Sequence, residues 1–168
     1  VKVRSFGETR DISCGCVVGA DGYESQVGRW AGINTNLAPR DITSCFQYRL
    51  TNIKHDPDYC EFTLGSKAPG GYIWIFPKDE DTANVGIGMQ LTKLKDPADV
   101  KKHLDRFIQA DPRLKKGKAL EMVSGAVSIC APIDRTVGDG ILLVGDAARQ
   151  IDPIAGGGIS NSCKAGKV

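Results

Sequence analysis

The sequence predicts a mixed α+β and α/β protein in two parts. Segments 1–33 and 131–168 read as pieces of one split α/β domain, and segment 34–130 as an antiparallel sheet with one helix set between them. Three observations predict this. Four runs between Asp41 and Leu91 alternate apolar and polar residues with period two. One amphipathic helix pattern follows them. Near each end, an apolar run stops at an Asp-Gly or Gly-Asp pair and passes into helical spacing, as strands of an open α/β sheet do.

The elements follow in order. Residues 1–22 read as two short strands around a polar turn at Gly7-Glu8-Thr9-Arg10, the second strand running from Ile12 to Ala20. A helix is expected from Glu24 to Ala31, with Gly32 as its stop and Val27 and Trp30 on its apolar side. In the middle segment Phe46, Tyr48 and Leu50 share a face, as do Cys60, Phe62 and Leu64, then Tyr72, Trp74 and Phe76, then Val85, Ile87, Met89 and Leu91. Asp56-Pro57-Asp58, Pro69-Gly70-Gly71 and the charged run Lys78 to Asp81 separate these strands as turns. Asp96 and Pro97 open the helix, Val100, Leu104, Phe107 and Ile108 line one face, and Asp111-Pro112 closes it. A strand from Met122 to Cys130 then leads to Ile141-Leu142-Leu143-Val144, a continuous apolar run expected of a strand covered on both faces.

Composition narrows the function. Lys and Arg number 22 against 20 Asp and Glu, a net charge of +2, and no basic tract supports nucleic-acid binding. Glycine is in excess, 20 of 168 residues, and it clusters where backbone turns or approaches a ligand. The six cysteines carry no second pair at zinc-ribbon spacing, and only His55 and His103 could assist, so no metal is expected. Both histidines read as solvated. No signal peptide precedes the cysteines, so a cytoplasmic setting is expected, and no apolar run reaches the roughly 18 residues of a membrane span, so any membrane contact is expected to be peripheral. Lys115, Lys116 and Lys118 form a basic patch that could meet anionic headgroups.

Two loops carry chemistry. Gly145-Asp146 ends the apolar run, and Pro153 stiffens the loop before Gly156-Gly157-Gly158-Ile159 starts a helix. Asp146 would stand at the carboxyl end of a strand, able to accept hydrogen bonds from sugar or ribityl hydroxyls. The glycines let backbone come close to an anion at a helix start. The earlier loop, Ala20-Asp21-Gly22 with Ser25 and Arg29, again joins a strand to a helix, with Arg29 placed for a phosphate or an acidic partner. A plainer reading makes Asp21 a helix cap and Arg29 a solvated side chain. The aromatic stripe Tyr72, Trp74, Phe76 reads either as a wall for an apolar ligand or as the sheet's core under the helix. Gly86 and Gly88 would open room beside it, or mark a bulge.

Asp21-Gly22 and Gly145-Asp146 with the three glycines resemble the paired motifs of the para-hydroxybenzoate-hydroxylase-like flavoproteins. The stretch Pro69 to Met89 resembles the signature of the geranylgeranyl reductase family, flavoenzymes that saturate isoprenoid chains, notably of archaeal membrane lipids and of chlorophylls. The resemblance implies a split FAD-binding, Rossmann-like domain around a substrate-binding sheet domain. It implies FAD held by Asp21, Gly22, Arg29, Gly145, Asp146, Pro153, Gly156, Gly157, Gly158 and Ile159. It implies an isoprenoid lipid against Tyr72, Trp74, Phe76, Pro77, Gly86 and Gly88, with NADPH or ferredoxin as reductant. The family's amino-terminal Gly-x-Gly-x-x-Gly has no counterpart in these residues, so the chain reads as an internal piece of a longer enzyme. Two other readings stand beside it: a monooxygenase or quinone-linked dehydrogenase of the same superfamily, and a lipid-binding module without catalysis.

Overall fold

The computed structural model describes residues 1–154 and 156–167; Ala155, inside the second loop, and Val168 lie outside the described residues. The chain divides into two compact units. One comprises Val1–Asn36 with Cys130–Val168, the other Leu37–Ile129.

The first unit opens on a hairpin. Strands β1 (Lys2–Ser5) and β2 (Glu8–Asp11) pair antiparallel from Lys2↔Asp11 to Ser5↔Glu8. The turn falls on Phe6-Gly7, at φ 49° and 83°, one step earlier than polarity suggested. Residues 8–11 are strand with both faces in water, where alternation carries no signal. The long strand expected from Ile12 contracts to β3 (Val17–Gly19). Helix α1 (Gln26–Trp30) starts late because Ser25, at φ 31°, is its cap, with its side chain accepting from Gly28 N–H. Gly32 follows the helix at φ 77°, a left-handed exit. Trp30 does not join the apolar side as expected; it is 79% exposed.

The second unit is a five-stranded antiparallel sheet and one helix. Its strands are β4 (Ile42–Thr51), β5 (Glu61–Leu64), β6 (Tyr72–Pro77), β7 (Ala83–Gln90) and, after helix α2 (Asp99–Ala110), β8 (Lys118–Ser128). Their order across the sheet is β5-β6-β7-β4-β8. β8 begins four residues before the expected Met122 and is an edge strand, so Leu120, Met122 and Val123 stay exposed. α2 starts two residues later than Asp96 and Pro97 suggested: Ala98 is its N-cap with no side-chain cap bond, and Asp96 accepts from Ala98 N–H in the turn that precedes the helix. Val100, Leu104 and Ile108 of α2 pack on Tyr48, Leu50, Ile73, Ile75, Val85, Ile87 and Met89, which are all buried. The core therefore fills one face of the sheet only. On β6 that face belongs to Ile73 and Ile75, so Tyr72, Trp74 and Phe76 point to the other side. His55 departs from the solvated reading: both ring nitrogens are buried, with no hydrogen-bond partner among the described residues.

The chain then returns to the first unit through β9 (Val137–Gly138), which was not expected, and β10 (Ile141–Leu143). β10 pairs antiparallel with β9 and parallel with β3, from Ile141↔Val17 to Leu143↔Gly19. Ile141 and Leu143 are buried, with Val17, Val27, Ile33 and Ile133 packed around them. Gly28 sets how closely α1 approaches: a Cβ there would lie 2.9 Å from Leu143 Cδ1 and 2.7 Å from Thr35 Cγ2. Helix α3 (Gly158–Ala165) is the last element among the described residues.

Candidate functional site

Parallel pairing of β3 and β10 puts both motif loops at the carboxyl ends of adjacent strands, tied together by Val144 N–H donating to Gly19 C=O at 3.0 Å. That edge is where open α/β sheets hold ligands. The two aspartates there differ in what they do. Asp21 Oδ1 accepts from Ser25 Oγ at 3.0 Å and its Oδ2 from Val27 N–H at 2.9 Å. Both oxygens are spent on holding the loop and the start of α1. Arg29 is exposed, with no side-chain partner among the described residues.

Asp146 is the reverse. It sits half-buried in a 3-10 turn (Gly145–Ala148), and its carboxylate accepts no hydrogen bond among the described residues. The turn itself is fixed by others: Gly145, at φ 63°, donates N–H to Gln150 Oε1 at 2.9 Å, and Gln150 N–H returns to Gly145 C=O at 3.0 Å. A Cβ on Gly158 would come 3.3 Å from Asp146 Oδ1. A side chain there would fill the space beside the free carboxylate. α3 begins at Gly158 without a side-chain cap, leaving amides of its first turn for an outside acceptor. Gly156 takes φ 65°, and Pro153 and Ile159 are exposed. These residues fit an anionic, hydroxyl-bearing group such as a flavin nucleotide. A groove of about 780 Å3 also opens in this unit, lined by Trp30, Ile33, Asn34, Ile133 and Arg149 among others. None of the predicted cofactor residues lines it.

The sheet of the second unit presents a different surface. Register aligns Phe62, Trp74, Gly86, Gln47 and Val123 in one row across all five strands. The next row is Leu64, Tyr72, Gly88, Cys45 and Gly125. Both lie on the face opposite the core. Phe62 meets Tyr72 and Phe76 edge-on, each at 5.4 Å between centroids, and Trp74 stacks on Phe76 at 6.0 Å. The result is a continuous aromatic surface, uncovered within its own unit. Pro77 ends β6 opposite Ala83.

The room expected over Gly86 is taken. A Cβ on Gly86 would overlap Trp74 Cζ2, so the indole lies across the glycine. A Cβ on Gly88 would meet Thr43 Cγ2 at 3.0 Å and Cys45 Sγ at 3.4 Å. No bulge accompanies either glycine, since the β4–β7 and β6–β7 registers run through without a shift. Beyond the glycines the face turns polar. Trp74 Nε1–H donates to Gln47 Oε1 at 2.9 Å, and Asn84 Oδ1 is buried with no partner among the described residues. Gln47 and Asn84 escaped the sequence reading. Asn84 is one of two polar residues on β7, whereas Gln47 is one of several on β4 and stands out by nothing local; only the register puts each beside the aromatics.

The fold is a mixed α+β arrangement with antiparallel sheets, shared with flavin-dependent enzymes. A flavin-dependent brominase matches 97% of the chain at TM-score 0.70 and 19% identity, the chain covering 44% of it, a likeness of fold alone. The family described as "Geranylgeranyl reductase catalytic domain" matches residues 41–127, more than half of the chain, and the chain belongs to it. It is 49% identical over 169 residues to a digeranylgeranylglycerophospholipid reductase of Methanothrix thermoacetophila, which covers the whole of this chain and 42% of that protein. A geranylgeranyl bacteriochlorophyll reductase-like protein of Thermoplasma acidophilum superposes at TM-score 0.91 with 49% identity, over 96% of this chain and 41% of that one. The chain thus spans about 42% of the length of the curated relatives it matches.

Proposed function

We propose that the chain is part of a flavin-dependent reductase that saturates the double bonds of geranylgeranyl chains on archaeal membrane-lipid precursors. One observation carries this reading: in a member of the geranylgeranyl reductase family, Phe62, Tyr72, Trp74 and Phe76 form an aromatic surface on the side of the sheet away from the core. An isoprenoid chain offers no polar handle, so its recognition rests on apolar area, about 0.8 kcal/mol per buried CH2. A broad aromatic face supplies that area and keeps water from the double bonds.

Segments 1–36 and 130–168 then hold FAD, and segment 37–129 holds the lipid. Bound FAD supplies the hydride, drawing on NADPH or ferredoxin. Asp146 accepts from the cofactor's hydroxyls, Gly156 to Ile159 bring the start of α3 to its phosphates, and Arg29 is free to pair with an anion. Asp21 and Gly22 act by shaping the loop between β3 and α1. Lys115, Lys116 and Lys118, all exposed, form a patch suited to anionic headgroups at a membrane surface.

The test uses the full-length protein, anaerobic and with dithionite-reduced flavin, given a digeranylgeranyl glycerophospholipid. Mass spectrometry should show one hydrogen pair gained per reduced double bond. An unchanged lipid, with oxygen consumed on a phenolic substrate in a parallel aerobic assay supplied with NADPH, would assign the protein to the monooxygenases.

A further inference from the structure

The Trp74 indole bridges three strands. It is carried by β6, lies across Gly86 of β7, and gives its N–H to Gln47 of β4. That last bond matters most when the face is covered. An indole N–H under hydrocarbon needs an acceptor, and leaving a buried donor unpaired is costly. Water can serve while the face is open, but an isoprenoid chain brings no acceptor and displaces the water. Gln47 Oε1 answers the N–H from the side of the sheet, within the same cross-strand row, so a ligand can lie over the ring without stranding it.

We propose that Gln47 is a positioning residue for the lipid: it satisfies Trp74 in advance and holds the indole flat, so that the aromatic face can be covered by an apolar chain. Gly86 is the other half of the device, since any side chain there would lift the ring. The proposal rests on the reading of this face as the isoprenoid site. It adds a residue that need not touch the reacting atoms, and whose effect passes through Trp74 alone.

A double-mutant cycle in the full-length holoenzyme tests it, with geranylgeraniol as the probe for equilibrium binding and the digeranylgeranyl glycerophospholipid for kinetics. Gln47→Met keeps length and removes the amide acceptor. It should weaken geranylgeraniol binding about tenfold and raise KM by a like factor with little change in kcat. In a Trp74→Phe background, which has no N–H to satisfy, the same change should cost less than about twofold. Urea denaturation and flavin content of the Met variant, both expected to match the parent, guard against a folding defect. Equal losses in both backgrounds, or a fall in kcat alone, would overturn the positioning role while leaving the lipid site standing. If the unmodified protein binds no geranylgeraniol, the reading of the face and the role of Gln47 both fail.

Discussion

Trp74 and Gln47, 27 residues apart in sequence and on strands that do not touch, are joined by a 2.9 Å hydrogen bond that passes over a glycine. Strand β7 between them contributes no side chain at that point, and this is what lets the indole reach β4. The aromatic face is therefore a tiled surface, with Trp74 as the tile that closes the gap at Gly86.

Gly86→Ala is expected to destabilise the protein by about 1–3 kcal/mol, because the new Cβ and the indole cannot occupy the same space and the sheet must yield. Urea denaturation checks the magnitude. Unchanged stability would mean that Trp74 has a second, equally good resting place.

The two aspartates should separate on substitution. Asp21→Ala removes two acceptors from the β3–α1 loop and should cost about 1 kcal/mol of stability. Asp146→Ala removes a carboxylate with no internal partner, so stability should hold while FAD affinity falls about tenfold or more. Thermal melts and flavin titration on the full-length variants read the two effects independently. A stability loss at Asp146 equal to that at Asp21 would contradict the division of roles.

Cys45 lies on the open face but is half-buried, and burial pushes its thiol from the ordinary 9.0 up to about 11. The folded state thus keeps its proton longer than the unfolded chain. This contribution to stability is complete below pH 9 and declines as pH rises from about 9 to 11. Cys45→Ala should flatten the stability profile across that window, measured by denaturation at successive pH values. Iodoacetamide at pH 8 should label exposed Cys60 and Cys163 well before Cys45.

Leu104→Ala should cost about 2–5 kcal/mol, since Leu104 is fully buried where α2 meets the sheet. The loss should appear as a lower denaturation midpoint. A loss under 1 kcal/mol would mean that α2 is not the cover of this core.

Much of this was legible in order along the chain. Period two marked β4 to β7, Asp96 and Pro97 marked the approach to α2, and the Asp-Gly and Gly-Asp pairs marked the strand ends where the loops gather. These are local signals: alternation, caps and turn residues act within a few positions. The amino-terminal hairpin was misplaced for the same reason, because a fully solvated strand such as Glu8–Asp11 has no buried face to make it periodic.

Tertiary structure decided which way each periodic face turns. Strand β6 is apolar on both sides, Tyr72, Trp74 and Phe76 on one and Ile73 and Ile75 on the other, so its sequence is consistent with either face as core. The choice was made by the helix: α2 packs on β4 and β7 through Val100, Leu104 and Ile108, and the register carries that side across to the isoleucines. The aromatics were left outward by exclusion. The same register, a property of pairing between distant segments, brought Gln47 to the edge of the Trp74 indole and set Gly86 beneath the ring. Sequence alone determined the kind of most elements and the family, and missed β9 and the solvated strand Glu8–Asp11. Pairing and one-sided burial determined which residues form a surface, because each depends on neighbours that are adjacent only after folding.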